Sequence, residues 1–338
     1  MQPDVRFSTA NGLPNLIGMA AGIMGLGHSL AQPMSAAPAA ATRSQITAFE
    51  TSPFPYAGSP PGQDKPFFDI EKDGRRGHSS PRGGIYWEDT TYSDRSVLLF
   101  IPRGFDPARP GLLIVYLHGN LATLDRDVQK RQQVPRQVLQ SGLNAVLMAP
   151  QFAVNALDSS AGRFYEPGEF RRFLEEGAGH LARLQGDERT RASFDALPVL
   201  IVAYSGGYAP AAWAIHNGGA GDRVRGVILL DALYAEMDKF ADWIAQRESA
   251  FFFSAYSRSA REENLALQRL LTERSIDFST TLPSTLAPGG VTFFPTGEDV
   301  VHNDFVSQAW VRDPLKAVLG KIAGYPRRPA GTSPVRKR

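Results

Sequence analysis

Cysteine is absent from all 338 residues, which removes disulfides, zinc–thiolate sites and a thiol nucleophile together. An excess of charge of one sign is absent too: 36 Lys and Arg face 34 Asp and Glu, a net charge of +2. So small an imbalance gives no broad field to attract nucleic acid or a membrane surface, and neither is an expected partner. A dinucleotide fingerprint, a P-loop and a clustered His/Asp/Glu metal pattern are all missing, so no cofactor or metal is expected. No repeat of fixed period runs along the chain.

Long apolar runs are scarce as well. NLIGMAAGIMGLGHSLA, residues 15–31, is too short and too rich in glycine to read as a membrane span. Ser29 and Ala31 stand at the −3 and −1 positions of a cleavage site before Gln32, as in a secretory signal peptide, although Arg6 is the only basic residue ahead of it and Asp4 opposes it. Residues 1–31 are therefore read as a signal peptide and the product as exported, periplasmic or secreted. The alternative is a disordered extension on a cytoplasmic protein. Residues 32–66, dominated by Ala, Pro, Ser and Gly, read as a linker, 67–325 as one domain, and 326–338 as a solvated basic tail carrying Arg327, Arg328, Arg336, Lys337 and Arg338.

What is present is core-forming material: 43% hydrophobic and 10% aromatic residues, enough for a sizeable interior. Residues 83–92 and 95–102 read as two antiparallel strands joined by a polar turn. Nearly continuous apolar runs follow at 111–119, 144–150, 198–204, 223–234, 250–257 and 289–297, as expected of strands covered on both faces. Helical stretches alternate with them: 125–142 with Gly142 as its stop, a segment opened by Pro167, a short Ala-rich helix from Tyr208, 235–247 and 261–274, and a last helix in DPLKAVLGKIAGY. This alternation predicts an α/β domain with a mostly parallel central sheet, helices on both faces and antiparallel first strands.

In such sheets functional groups gather beyond the carboxyl ends of the strands. There the sequence places His118-Gly119-Asn120, then Ser205-Gly206-Gly207, then Asp231, then GEDVVHND with His302. Serine, aspartate and histidine thus follow three different strands in that order. The other histidines lie elsewhere: His28 in the leader, His78 in an early loop, His180 and His216 on helices.

From Gly83 to Tyr325 the chain resembles the α/β-hydrolase superfamily. AYSGG is similar to its nucleophile elbow G-x-S-x-G, HGN to its oxyanion loop, and the order Ser, Asp, His is the one described for that fold. Ala203 departs from the motif where the first glycine is usual, but alanine meets the same need for a small side chain. The resemblance implies a serine hydrolase cleaving a carboxylic ester through an acyl-enzyme. In it Ser205 is the nucleophile, His302 the general base and Asp231 the residue that orients the imidazole, with Glu298 and Asp299 as alternative acids. It also implies oxyanion donors at Gly206 and at Asn120 or Leu121, while His118 takes a structural part. Phe152, Phe164, Tyr165 and Tyr204 are candidates to line the substrate site, and the expected partner is a small-molecule or acyl substrate. The same triad would serve an amidase, a peptidase or an acyltransferase, and a non-catalytic binding module could keep the fold.

Overall fold

A computed structural model of the chain describes residues 41–329; the expected signal peptide and the last nine tail residues lie outside them. Eight strands form the main sheet: β1 (Arg43–Ala48), β2 (Ser96–Ile101), β3 (Leu112–Leu117), β4 (Ala145–Pro150), β5 (Val199–Tyr204), β6 (Val224–Leu230), β7 (Phe251–Tyr256) and β8 (Val291–Pro295). Their spatial order is β1-β2-β4-β3-β5-β6-β7-β8. Only β2 is reversed, antiparallel to both β1 and β4, and every other neighbouring pair is parallel.

Strands β3, β4, β5 and β7 are buried along their whole length, because helices cover both faces. Alternation with period two sorts their side chains into two layers. Leu113, Val115, Val199, Ile201 and Ala203 face one layer, covered by α2 (Glu169–Gln185), α3 (Tyr208–His216), α4 (Met237–Gln246) and α5 (Arg261–Glu273). Ile114, Tyr116, Leu200, Val202 and Tyr204 face the other, under α1 (Val134–Ser141) and α6 (Pro314–Leu319). Each fully buried Leu, Val or Phe in these layers contributes about 1.5–3 kcal/mol. No helix of the described residues is long and apolar enough to cross a membrane.

Several expectations are corrected. The segment taken as a linker carries β1, paired with β2 from Arg43↔Ile101 to Ala48↔Ser96. Beyond it Phe49, Phe54 and Tyr56 are buried, Phe49 stacking on His180 at 4.4 Å between ring centres. A few aromatic anchors dock a stretch whose average composition is that of a tether. Secondly, 83–92 and 95–102 are not a hairpin: Ile85–Trp87 joins a separate three-stranded sheet through Arg75–Ser79, whereas β2, apolar on both faces, goes to the interior of the main sheet.

Thirdly, the helix expected over 125–142 is broken. A π-helical turn spans Leu124–Arg131, Gln133 takes a left-handed φ of 50°, and α1 starts at Val134 with Pro135 in its first turn, where the missing N–H costs nothing. Gly142 ends it as expected, at φ 75°. Likewise Pro167 precedes Gly168, the cap of α2, rather than opening the helix. Fourthly, the start of the tail is docked. Arg328 is buried, its backbone N–H donates to the Gly142 carbonyl at 2.7 Å, and its guanidinium donates to the carbonyls of Leu139 and Leu143.

Candidate active site

Strand β5 ends at Tyr204 in extended conformation, and the helical turn begins at the next residue. Ser205 makes that corner with φ 52°, a left-handed conformation that costs a β-carbon residue about 1–3 kcal/mol. The neighbouring glycines are required by close approach. A Cβ on Gly207 would lie 2.3 Å from the Leu117 carbonyl oxygen, and one on Gly119 would lie 2.6 Å from Ser205 Cβ. Ala203, fully buried, fits where the motif usually has glycine.

His302 starts a short helical turn beyond β8. Its Nε2 lies 2.7 Å from Ser205 Oγ and its Nδ1 lies 2.6 Å from Asp231 Oδ2. A carboxylate on Nδ1 fixes the tautomer by partner chemistry: Nδ1 carries the proton, and Nε2 accepts from the Ser205 hydroxyl. The ring stacks on Tyr204 at 5.2 Å, and the Tyr204 hydroxyl donates to the His302 carbonyl at 3.0 Å. Of the alternative acids, Glu298 turns away to Arg261 at 3.4 Å, and Asp299 is exposed at the surface.

Asp231 is fully buried and sits at φ 46° directly after β6. Oδ1 accepts from the Ser257 N–H at 2.8 Å. Oδ2 accepts from Ser257 Oγ at 2.9 Å and Ser259 Oγ at 2.8 Å besides the histidine. Burial alone would raise this carboxyl, but the bonds from His302, Ser257 and Ser259 outweigh it and hold it below the ordinary carboxylate range. Tyr234 closes the group, its hydroxyl 2.9 Å from Ser259 Oγ and 3.2 Å from His302 Nδ1; burial raises its pKa and keeps the phenol protonated. The sequence reading missed Ser257, Ser259 and Tyr234. Their signal is the Ser-x-Ser of residues 257–259 directly past β7.

The Gly206 N–H opens a helix and so has no intrahelical acceptor. Leu121 is corrected: its N–H donates to the Ala156 carbonyl at 2.9 Å and is committed there. The Asn120 side chain lies over Gly206, where a Cβ would meet its amide at 2.1 Å. Oriented by its partners, that amide donates to the Asp158 carbonyl at 2.8 Å and accepts from Arg82 Nη1 at 2.9 Å; of the two backbone donors expected at 120 and 121, the Asn120 N–H is the candidate left. His118 is structural in position. Its Nε2 accepts from the Phe152 N–H at 2.9 Å, Nδ1–H donates to the Gly119 carbonyl at 2.8 Å, and burial pushes its pKa below the ordinary value.

Three further site candidates are corrected. Phe152 is buried against His118 and Phe164, and Phe164 is itself fully buried. Tyr204 is buried as well, its side chain sent to the far layer by strand alternation. Tyr165, by contrast, lines a cleft of about 200 Å³ together with Arg82, Asp158, Ser159, Tyr208 and Glu236. Among the described residues no group of three or more His, Cys, Asp or Glu side chains could hold a metal.

A mostly parallel sheet, a left-handed serine between a strand and the following helix, and the chain order Ser, Asp, His define the α/β-hydrolase fold. No protein-family model matches the chain, and no curated protein matches it by sequence. Among solved structures it is similar to a feruloyl esterase module from Clostridium thermocellum, with 11% identity, 79% of this chain and 96% of that one covered and a TM-score of 0.43. It is also similar to an S-formylglutathione hydrolase from Agrobacterium tumefaciens (14%, 75% and 97%, 0.42) and to esterase 2 of Thermogutta terrifontis (12%, 66% and 85%, 0.40). The strand order and the turn at Ser205, rather than these likenesses, define the fold.

Proposed function

We propose that the chain is a serine hydrolase acting on carboxylic esters. The observation that carries this is the relay Ser205–His302–Asp231, with contacts of 2.7 and 2.6 Å. Ser205 Oγ attacks the ester carbonyl while His302 Nε2 takes its proton. The resulting imidazolium lies against Asp231, whose negative charge is already fixed by Ser257 and Ser259. The oxyanion of the tetrahedral intermediate is held by the N–H groups of Gly206 and Asn120, each worth roughly a hundredfold to a thousandfold in rate. His302 then protonates the leaving alcohol, the acyl group stays on Ser205, and a water activated by the same imidazole releases the acid.

Labelling with a fluorophosphonate tests the nucleophile. The wild type forms an adduct on Ser205 and Ser205→Ala forms none; an adduct independent of Ser205, or no adduct at all, refutes the reading and returns the chain to a binding module. Paired p-nitrophenyl esters and anilides then separate an esterase from an amidase, and hydrolysis in the presence of added alcohols separates both from an acyltransferase. Export is part of the proposal, supported by Ser29 and Ala31 before Gln32.

A further inference from the structure

The cleft beside the Ser205 corner sets polar groups, among them Arg82, Asp158, Ser159 and Glu236, beside apolar surface from Leu157 and Ala209. At about 200 Å³ it falls below the roughly 300–1,000 Å³ of sites for drug-sized ligands. Its size does not suit a long alkyl chain. It adjoins the oxyanion side of the serine, since a Cβ on Gly206 would come within 2.8 Å of Ser159 Oγ, and Tyr208 and Ala209 follow Ser205 by one turn of helix.

Its two carboxylates are already engaged. Asp158 accepts from the Tyr92 hydroxyl at 2.7 Å and from Ser160 Oγ at 2.7 Å. Glu236 is paired with Lys239 at 2.6 Å and accepts from Trp213 Nε1 at 3.3 Å. The guanidinium of Arg82 is different. One of its nitrogens donates to the Asn120 amide oxygen, and the rest of the fork has no partner among the described residues. The turn that bears it is held in place: Ser80 Oγ donates to the Leu157 carbonyl at 2.9 Å and accepts from the Arg82 N–H at 3.2 Å, and Gly83 donates back to the Ser80 carbonyl at 2.9 Å. The positive charge is felt at the hydroxyls of Tyr208 and Tyr234, where it offsets part of the effect of burial.

A planar cation held one hydrogen bond from the oxyanion loop, with donors to spare, matches a carboxylate in shape and charge. We propose that this cleft binds a carboxylate borne by the substrate and that Arg82 is the residue that reads it. The inference rests on the serine-hydrolase reading of Ser205 and narrows its substrate class to anionic esters.

The test compares two matched pairs of esters, monophenyl succinate against phenyl butyrate for a carboxylate on the acyl side, and 4-acetoxybenzoate against phenyl acetate for one on the alcohol side. In the wild type, kcat/KM favours the anionic member of one pair by about 10- to 100-fold. Arg82→Gln brings that ratio close to one, and Arg82→Lys, which keeps the charge but loses the fork, leaves an intermediate ratio. Fluorophosphonate labelling of each variant counts working sites, so the ratio is compared per active serine. Labelled protein with no anionic preference in either pair, or with a preference that survives Arg82→Gln, overturns the assignment of Arg82 alone. Absence of Ser205 labelling in the wild type overturns the hydrolase reading and this inference with it.

Discussion

Replacing Asp231 by asparagine tests the relay at its most constrained point. The carboxylate receives two donors that cannot rotate away: the Ser257 backbone N–H on Oδ1 at 2.8 Å and His302 Nδ1–H on Oδ2 at 2.6 Å. The Ser257 and Ser259 hydroxyls on Oδ2 can turn and become acceptors. An asparagine must set its NH2 against one of the two fixed donors. The backbone N–H of Ser257 has no alternative form, whereas imidazole can move its proton to the other nitrogen. The amide nitrogen therefore faces His302, Nδ1 becomes the acceptor, and the proton sits on Nε2, where it blocks acceptance from Ser205. The expected result is a fall in kcat of about 10⁴, equivalent to about 5.5 kcal/mol of transition-state stabilisation. KM should change far less, since the cleft residues are untouched. Steady-state hydrolysis of a p-nitrophenyl ester, with circular dichroism to establish folding, measures it. A folded Asp231→Asn enzyme within tenfold of wild-type kcat would refute the tautomer argument.

Gly119→Ala places a Cβ 2.6 Å from Ser205 Cβ, about 0.8 Å inside ordinary contact. A shift of that size at the nucleophile should lower kcat/KM by about a hundredfold, read as slowed fluorophosphonate labelling in a protein with a native far-ultraviolet spectrum. The lowered Asp231 carboxyl predicts a pH dependence of stability. Its contribution is present above the unfolded-state pKa of about 3.9 and is lost as pH falls through the lower folded value. Urea titrations below about pH 4 should therefore give a steeper loss of unfolding free energy for the wild type than for Asp231→Asn; parallel curves would contradict it. Deleting Arg43–Ala48 removes the strand that covers β2 and should lower Tm by more than about 5 °C. An unchanged Tm would return that segment to the status of a tether.

The catalytic candidates were legible because their signal is topological. Apolar runs buried on both faces mark the strands, and Ser205, Asp231 and His302 stand past the carboxyl ends of three of them. Strand β1 was not legible: RSQITA is an edge strand, mostly exposed, with too little apolar patterning to rise above the Ala- and Pro-rich surroundings. Tyr204 could have been placed from sequence, since alternation sends it to the opposite face from Ala203. The commitment of the Leu121 N–H to Ala156 could not, because the acceptor arrives from a distant loop and leaves no local mark. Arg82 was hidden for the same reason, on a turn outside the main sheet.

The loop after β4 has a double attachment. Its Phe152 N–H holds His118, its Ala156 carbonyl holds Leu121, and its Asp158 and Ser159 hold the Asn120 amide, while Leu157 to Ser160 form a wall of the cleft. On the proposed reading, substrate choice and the alignment of the oxyanion loop would thus depend on one stretch of backbone. Selection for a new substrate through residues 156–160 would alter turnover at the same time. Variants that change selectivity without a loss of rate should come instead from cleft residues outside that loop, such as Gln63.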